Sequence, residues 1–174
     1  MKRRITIVVA VAAALTLQLA TPASAASTRA RGAGQLRDLQ VKTDQPTDHA
    51  TAQVVAVESD GSTTVMLKVQ GLDHRAAGMV LGAHVHVGSC VAGDGGAAGP
   101  HYKSNGATAT AVNEVWLDFV VGANGTARAE ATVPFVIPAG GAAAVVIHES
   151  QTSIGPLPPA GAAGPRWACL PVQF

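Results

Sequence analysis

The stretch "ATAQVVAVESDGSTTVMLKVQ", residues 50–70, decides the fold class. Two runs rich in valine and threonine flank "ESDGS". Branched side chains suit a pleated, half-buried surface. Asp-Gly is a favoured hairpin turn because both positions accept positive φ. Residues 50–57 and 63–70 are therefore expected to pair as antiparallel strands about Asp60-Gly61.

The same grammar recurs outward from this hairpin. "EVWLDFVV" (114–121) and "TARAEATVPFVI" (126–137) flank "GANG", with Asn124-Gly125 at the turn. Asn124-Gly125-Thr126 also matches a glycosylation sequon, but the turn accounts for the same residues. "GAHVHVG" (82–88), "AAAVVIHES" (142–150), "RWACLPVQF" (166–174) and a segment near "DLQVKT" (38–43) bring the count to about eight strands. No segment combines a helical period with caps. Short strands with Gly- and Pro-rich connections imply an all-β antiparallel sandwich or barrel. Long connections run from Val87 to Asn113 and from Glu149 to Pro165, and such connections often carry function.

The chain starts "MKRRITIVVAVAAALTLQLATPASA": a basic end, an apolar middle and Ala-Ser-Ala. That is the order of a secretory signal peptide, with cleavage expected after Ala25. Gln18, Pro22 and the small-residue ending argue against a membrane anchor, so no stable membrane insertion of the mature chain is expected. Residues 26–36, "ASTRARGAGQL", read as a flexible leader, and residues 37–174 as one domain. Loss of Lys2, Arg3 and Arg4 takes the formal charge from +1 to −2. A weakly acidic protein is a poor partner for nucleic acid. Localisation is expected to be secreted or at the cell envelope.

Export changes how the cysteines read. Cys90 and Cys169 are the only two in the chain, in a compartment where disulfides persist. A bridge is expected, worth roughly 4 kcal/mol in the chain-entropy account. Two buried free thiols are the alternative.

His84 and His86 lie two apart in a strand and so share a face. Two neutral imidazoles on one face begin a metal site, although a pair of partly exposed strand histidines has the same spacing. His101 lies in "AAGPHYKSNG" and His148 ends the strand "AVVIH". His49 and His74 sit in polar, turn-like sequence and are expected to face solvent.

H-x-H, then Cys, then G-P-H, then V-I-H-E, then G-P-R-W-A-C occur in one order from about residue 38 to the end. "VQGL" before the H-x-H and the N-G-T hairpin belong to the same pattern. This ordered set resembles the copper/zinc superoxide dismutase family. The resemblance implies an eight-stranded antiparallel Greek-key β-barrel. It implies that His84, His86, His101 and His148 bind copper, with His101 the histidine that normally bridges to zinc. It implies that Cys90 and Cys169 form the intrasubunit disulfide, and that Arg166 attracts the superoxide anion beside the copper. His101 and Arg166 are thus the catalytic candidates. The implied activity is copper-dependent dismutation of superoxide to oxygen and hydrogen peroxide. Oligomeric state is not readable from the chain, because family members associate through different surfaces.

The chain departs from the family in three places, one of them after the H-x-H, where Cys90 comes quickly and "VAGDGGAAG" lengthens the path to His101. The zinc site needs two further histidines and an aspartate after His101, and no histidine lies between His101 and His148. Only Glu114 and Asp118 remain as candidates, and the expected aspartate aligns with Val115. A structural zinc site usually wants four nitrogen or sulfur ligands. The expectation is therefore copper without zinc, with Glu114 orienting His101 as carboxylates do for ligand histidines. The third departure is the loop 149–165, which is short and nearly uncharged where the family carries steering charges. A secreted copper-buffering sandwich with little or no dismutase activity is the alternative function. A structural β-domain with a degenerate metal site is a third reading.

Overall fold

The computed structural model describes residues 27–104 and 108–174; the expected signal peptide lies outside the described residues. The described chain is all-β, apart from two short 3-10 turns. β1 (Ser27–Gln35), β3 (Thr51–Ser59), β4 (Ser62–Gln70) and β8 (Thr126–Val133) form one antiparallel sheet in that order. β2 (Arg37–Asp38), β10 (Arg166–Pro171), β9 (Ala144–His148) and β6 (Ala83–His86) form the second. β5 (Val80–Leu81) and β7 (Phe119–Val120) make a small pair beside them. The chain passes from the first sheet to the second between β1 and β2, between β4 and β6, and between β8 and β9, and the last two are the crossings of a Greek-key arrangement.

The hairpin of residues 50–70 forms as its sequence dictates. β3 and β4 pair from Thr51–Gln70 to Ser59–Ser62, and Asp60 and Gly61 both take positive φ. Ala52, Val54 and Ala56 alternate inward from β3, and Val65, Leu67 and Val69 from β4. They meet Val85, Val145, Ile147 and Leu170 of the second sheet in one core. The two sheets face each other as a sandwich and do not close into a barrel; a single bridge, Arg31–Gln173, links their margins.

Three expectations need correction. Residues 27–35 are not a flexible leader but the edge strand β1, paired with β3 along its length. Its small residues serve close approach rather than mobility. A Cβ on Gly32 would stand 2.7 Å from the Pro171 carbonyl oxygen and from Val172 Cγ2. The alternation was present: Ala30 is buried while Arg29 and Arg31 face out. The early strand near 38–43 shrinks to Arg37–Asp38, because the chain then turns, with Thr43 N–H donating to the Gln40 carbonyl. "EVWLDFVV" keeps its alternation, with Val115, Leu117, Phe119 and Val121 in the core, but only Phe119–Val120 is a strand. Its first half crosses instead to β6, where Leu117 N–H donates to the Ala83 carbonyl at 2.7 Å.

Candidate metal centre

The second sheet is buried on both faces near its middle. All five residues of β9 are buried, as are all four of β6. Val85, Val145 and Ile147 face the core. His84 pairs with Val146, His86 with Ala144 and Arg166 with His148. Directly paired residues share a face. His84, His86 and His148 thus lie on the outer face of this sheet, opposite the hydrophobic core. The two long loops cover that face. The first brings His101 in, through an isolated bridge between His86 and His101. One ligand atom from each of the four histidines lies within 4.8 Å of every other. Donors across one ion with ~2 Å bonds stand roughly 4 Å apart, so the set is close to coordination spacing.

Each ring is oriented by its outward nitrogen. His86 Nδ1 donates to the Gly99 carbonyl at 3.0 Å, and His148 Nδ1 to the Gly164 carbonyl at 3.2 Å. A carbonyl can only accept, so both protons sit on Nδ1. The two Nε2 atoms then present lone pairs to each other across 3.4 Å. His101 Nδ1 donates to Glu114 Oε2 at 2.9 Å, leaving its Nε2 inward. His84 is reversed: its Nε2 is 2.7 Å from Thr152 Oγ1, and its buried Nδ1 has no partner. Facing lone pairs and an orphaned buried nitrogen are costly without a cation between them. The donor set therefore fits a metal ion, and imidazole nitrogen suits copper, zinc, iron or nickel.

The electrostatics agree. Burial, then the neighbouring His101, pushes His86 down to about 2. Burial, partly offset by the bond to Gly164, pushes His148 down to about 4. Burial also holds His84 well below the ordinary range. Neutral imidazoles are the ligating form. Glu114 is itself buried, which opposes its charge, but hydrogen bonds from His101 and Trp116 outweigh that and lower it. Trp116 Nε1 donates to its Oε2 at 2.7 Å, and Lys103 Nζ stands 3.4 Å from its Oε1.

Cys90 and Cys169 are joined, with Cα atoms 5.8 Å apart. The bridge ties the His101 loop to β10, three residues beyond Arg166, inside a small cluster of Leu39, Ala98, Ala144 and Val146. Arg166 is half-buried, and its Nη1 donates to the Gly95 carbonyl at 2.6 Å on the same loop. Val115 is sealed in the core and offers no ligand. Among the described residues, the four histidines are the one group of three or more His, Cys, Asp or Glu side chains able to share an ion. His49 and His74 are exposed, as the sequence indicates. Sequence reasoning missed the part played by Thr152, buried against His84, and by its hydrogen-bond partner Asp118.

No helix of the described residues is long and apolar enough to cross a membrane. The family model for copper/zinc superoxide dismutase (SODC) matches residues 48–170. The fold is similar to a crystal structure of a double mutant of a SOD-like protein from Bacillus subtilis. The TM-score is 0.55 at 21% identity, covering 80% of this chain and 97% of that one. A search of curated proteins gave no match.

Proposed function

The chain belongs to the copper/zinc superoxide dismutase family, and on that premise we propose that it is a secreted, copper-dependent superoxide dismutase. The observation that carries the reading is the inward set of four imidazole nitrogens, three of them from buried histidines and two with lone pairs face to face. His84, His86, His101 and His148 would hold the ion. Copper bound there would supply the one-electron redox chemistry that dismutation of superoxide to oxygen and hydrogen peroxide requires.

The protein's own residues hold and feed that centre. The Gly99 and Gly164 carbonyls fix the tautomers of His86 and His148. Glu114 holds the His101 Nδ1 proton, so the nitrogen turned away from the other three histidines already has a partner. That contact supports copper without zinc: a carboxylate, not a second ion, orients His101. Arg166, paired with His148 in the sheet and tethered to Gly95, is the cation that draws the superoxide anion in. The signal-peptide pattern of residues 1–25 and the Cys90–Cys169 bridge support export.

The loop 149–165 favours a second reading. Its only charged residue is Glu149, so it supplies no field to focus superoxide. A secreted copper-buffering protein would need no such field. Copper-loaded protein in a superoxide-consumption assay separates the two. Dismutation well above an equal amount of free-copper control supports the enzyme. Stoichiometric copper with no activity above that control replaces it with buffering.

A further inference from the structure

His84 differs from its three companions in which nitrogen it turns outward, and the cause lies two side chains away. Asp118 takes the Thr152 backbone N–H on Oδ2 at 2.8 Å and the Thr152 hydroxyl on Oδ1 at 2.5 Å. An ionised carboxylate only accepts. The Thr152 proton is therefore committed to Asp118, and Thr152 Oγ1 has only lone pairs left for His84 Nε2, 2.7 Å away. That nitrogen must carry the imidazole proton, and the buried, unpartnered Nδ1 is bare. We infer that Asp118 and Thr152 are positioning residues that fix the His84 proton on Nε2 and so free Nδ1 as a metal donor. The inference rests on the four-histidine metal reading for its purpose, but the tautomer itself does not.

The chain of bonds also joins distant segments. Asp118 follows the His101 loop, Thr152 lies on the 149–165 loop, and His84 is on β6. Gly82 N–H and the Ser150 carbonyl, at 2.9 Å, hold the same loop one step away. A Cβ on Gly82 would come within 2.7 Å of that carbonyl and 3.2 Å of Thr152 Oγ1, so glycine there lets Thr152 reach the ring.

Asp118→Asn gives a sharp test because it keeps the shape and reverses the bonding. The Thr152 backbone N–H must still meet an oxygen, so the new amide nitrogen faces Thr152 Oγ1. It donates, the hydroxyl turns to donate to His84 Nε2, and the imidazole proton moves to Nδ1. Long-range nitrogen–proton NMR on the metal-free full-length protein reads this directly. The expected result is an Nε2–H tautomer at His84 in the native protein and in Thr152→Ser, and an Nδ1–H tautomer in Asp118→Asn. Competition titration with Cu(II) should show affinity weakened about 10- to 100-fold in Asp118→Asn, the range for partners of ligand histidines, and close to native in Thr152→Ser, which keeps the hydroxyl. A native His84 protonated on Nδ1, or an Asp118→Asn protein with an unchanged tautomer, overturns the inference. A native protein with the Nε2–H tautomer that takes up no Cu(II) upholds the inference about the proton and sinks the metal reading instead.

Discussion

Residues 87–113 and residues 149–165 both cover the histidine centre, yet they are held by different means. The first is stapled to β10 by the Cys90–Cys169 bridge. It is pinned again by Arg37 Nη1 donating to the Cys90 carbonyl at 2.6 Å and by Gly88 N–H donating to the Ala98 carbonyl at 2.8 Å. It delivers His101, a proposed ligand, and a carbonyl for His86. The second has no covalent tie and is held by hydrogen bonds: Ser150 to Gly82, Thr152 to Asp118 and His84, and the Gly164 carbonyl to His148. Its tip leaves Ile154 87% and Leu157 91% exposed. The difference teaches that a ligand needs a rigid carrier, whereas a ring already fixed on a strand needs only a partner for its outer nitrogen.

The contrast can be broken most severely at the disulfide. Replacing Cys90 and Cys169 together by alanine should cost about 4 kcal/mol, since the bridge closes a long loop. Urea unfolding measures this, and copper affinity should fall with it as His101 loosens. A change below about 1 kcal/mol would mean that hydrogen bonds alone fix the first loop.

Glycines compare the stiffness of the two loops. A Cβ on Gly88 would lie 2.2 Å from the Ala97 carbonyl oxygen, within the stapled loop; on Gly82 it meets Ser150 and Ala163 at 2.7 Å, within the unstapled one. Overpacking costs typically about 1–3 kcal/mol. Gly88→Ala should fall at the upper end and Gly82→Ala at the lower, because the second loop can withdraw. The reverse order in melting experiments would contradict the assignment of rigidity.

Glu114→Gln should leave the fold intact and weaken Cu(II) binding about tenfold, read by competition titration. Unchanged affinity would remove Glu114 from the orienting role. The smallest effect concerns salt. With Glu149 the only charge on the second loop, turnover should change less than about twofold as the Debye length shrinks from about 30 Å to about 8 Å. A steep fall would point to steering charges elsewhere on the surface.

Much of this was legible in the chain. The Asp60-Gly61 turn fixes its hairpin locally, so the sequence reads it directly. Asn124-Gly125 makes its turn, but the flanking segments do not pair with each other, β8 joining β4 and β7 joining β5. His84 and His86 share a face because strands have period two. That His101 and His148 join them was accessible only through the ordered resemblance, since both come from far along the chain. β1 was hidden because "ARGAG" has the composition of a linker, and what makes it a strand is the close passage of Pro171 and Val172 over Gly32. Thr152 was invisible for a related reason. A threonine between glutamine and serine in a Pro-rich loop carries no signature, and its value appears only when the loop folds back onto His84. Local chemistry is written in the sequence, and contacts made by loop closure are not.

Copper titration followed by electron paramagnetic resonance tests the central claim most directly. The account requires one Cu(II) per chain with a nitrogen-rich signature from four imidazoles, and a changed spectrum in His148→Ala. Absence of stoichiometric copper, or a bound copper whose spectrum ignores His148→Ala, would contradict it.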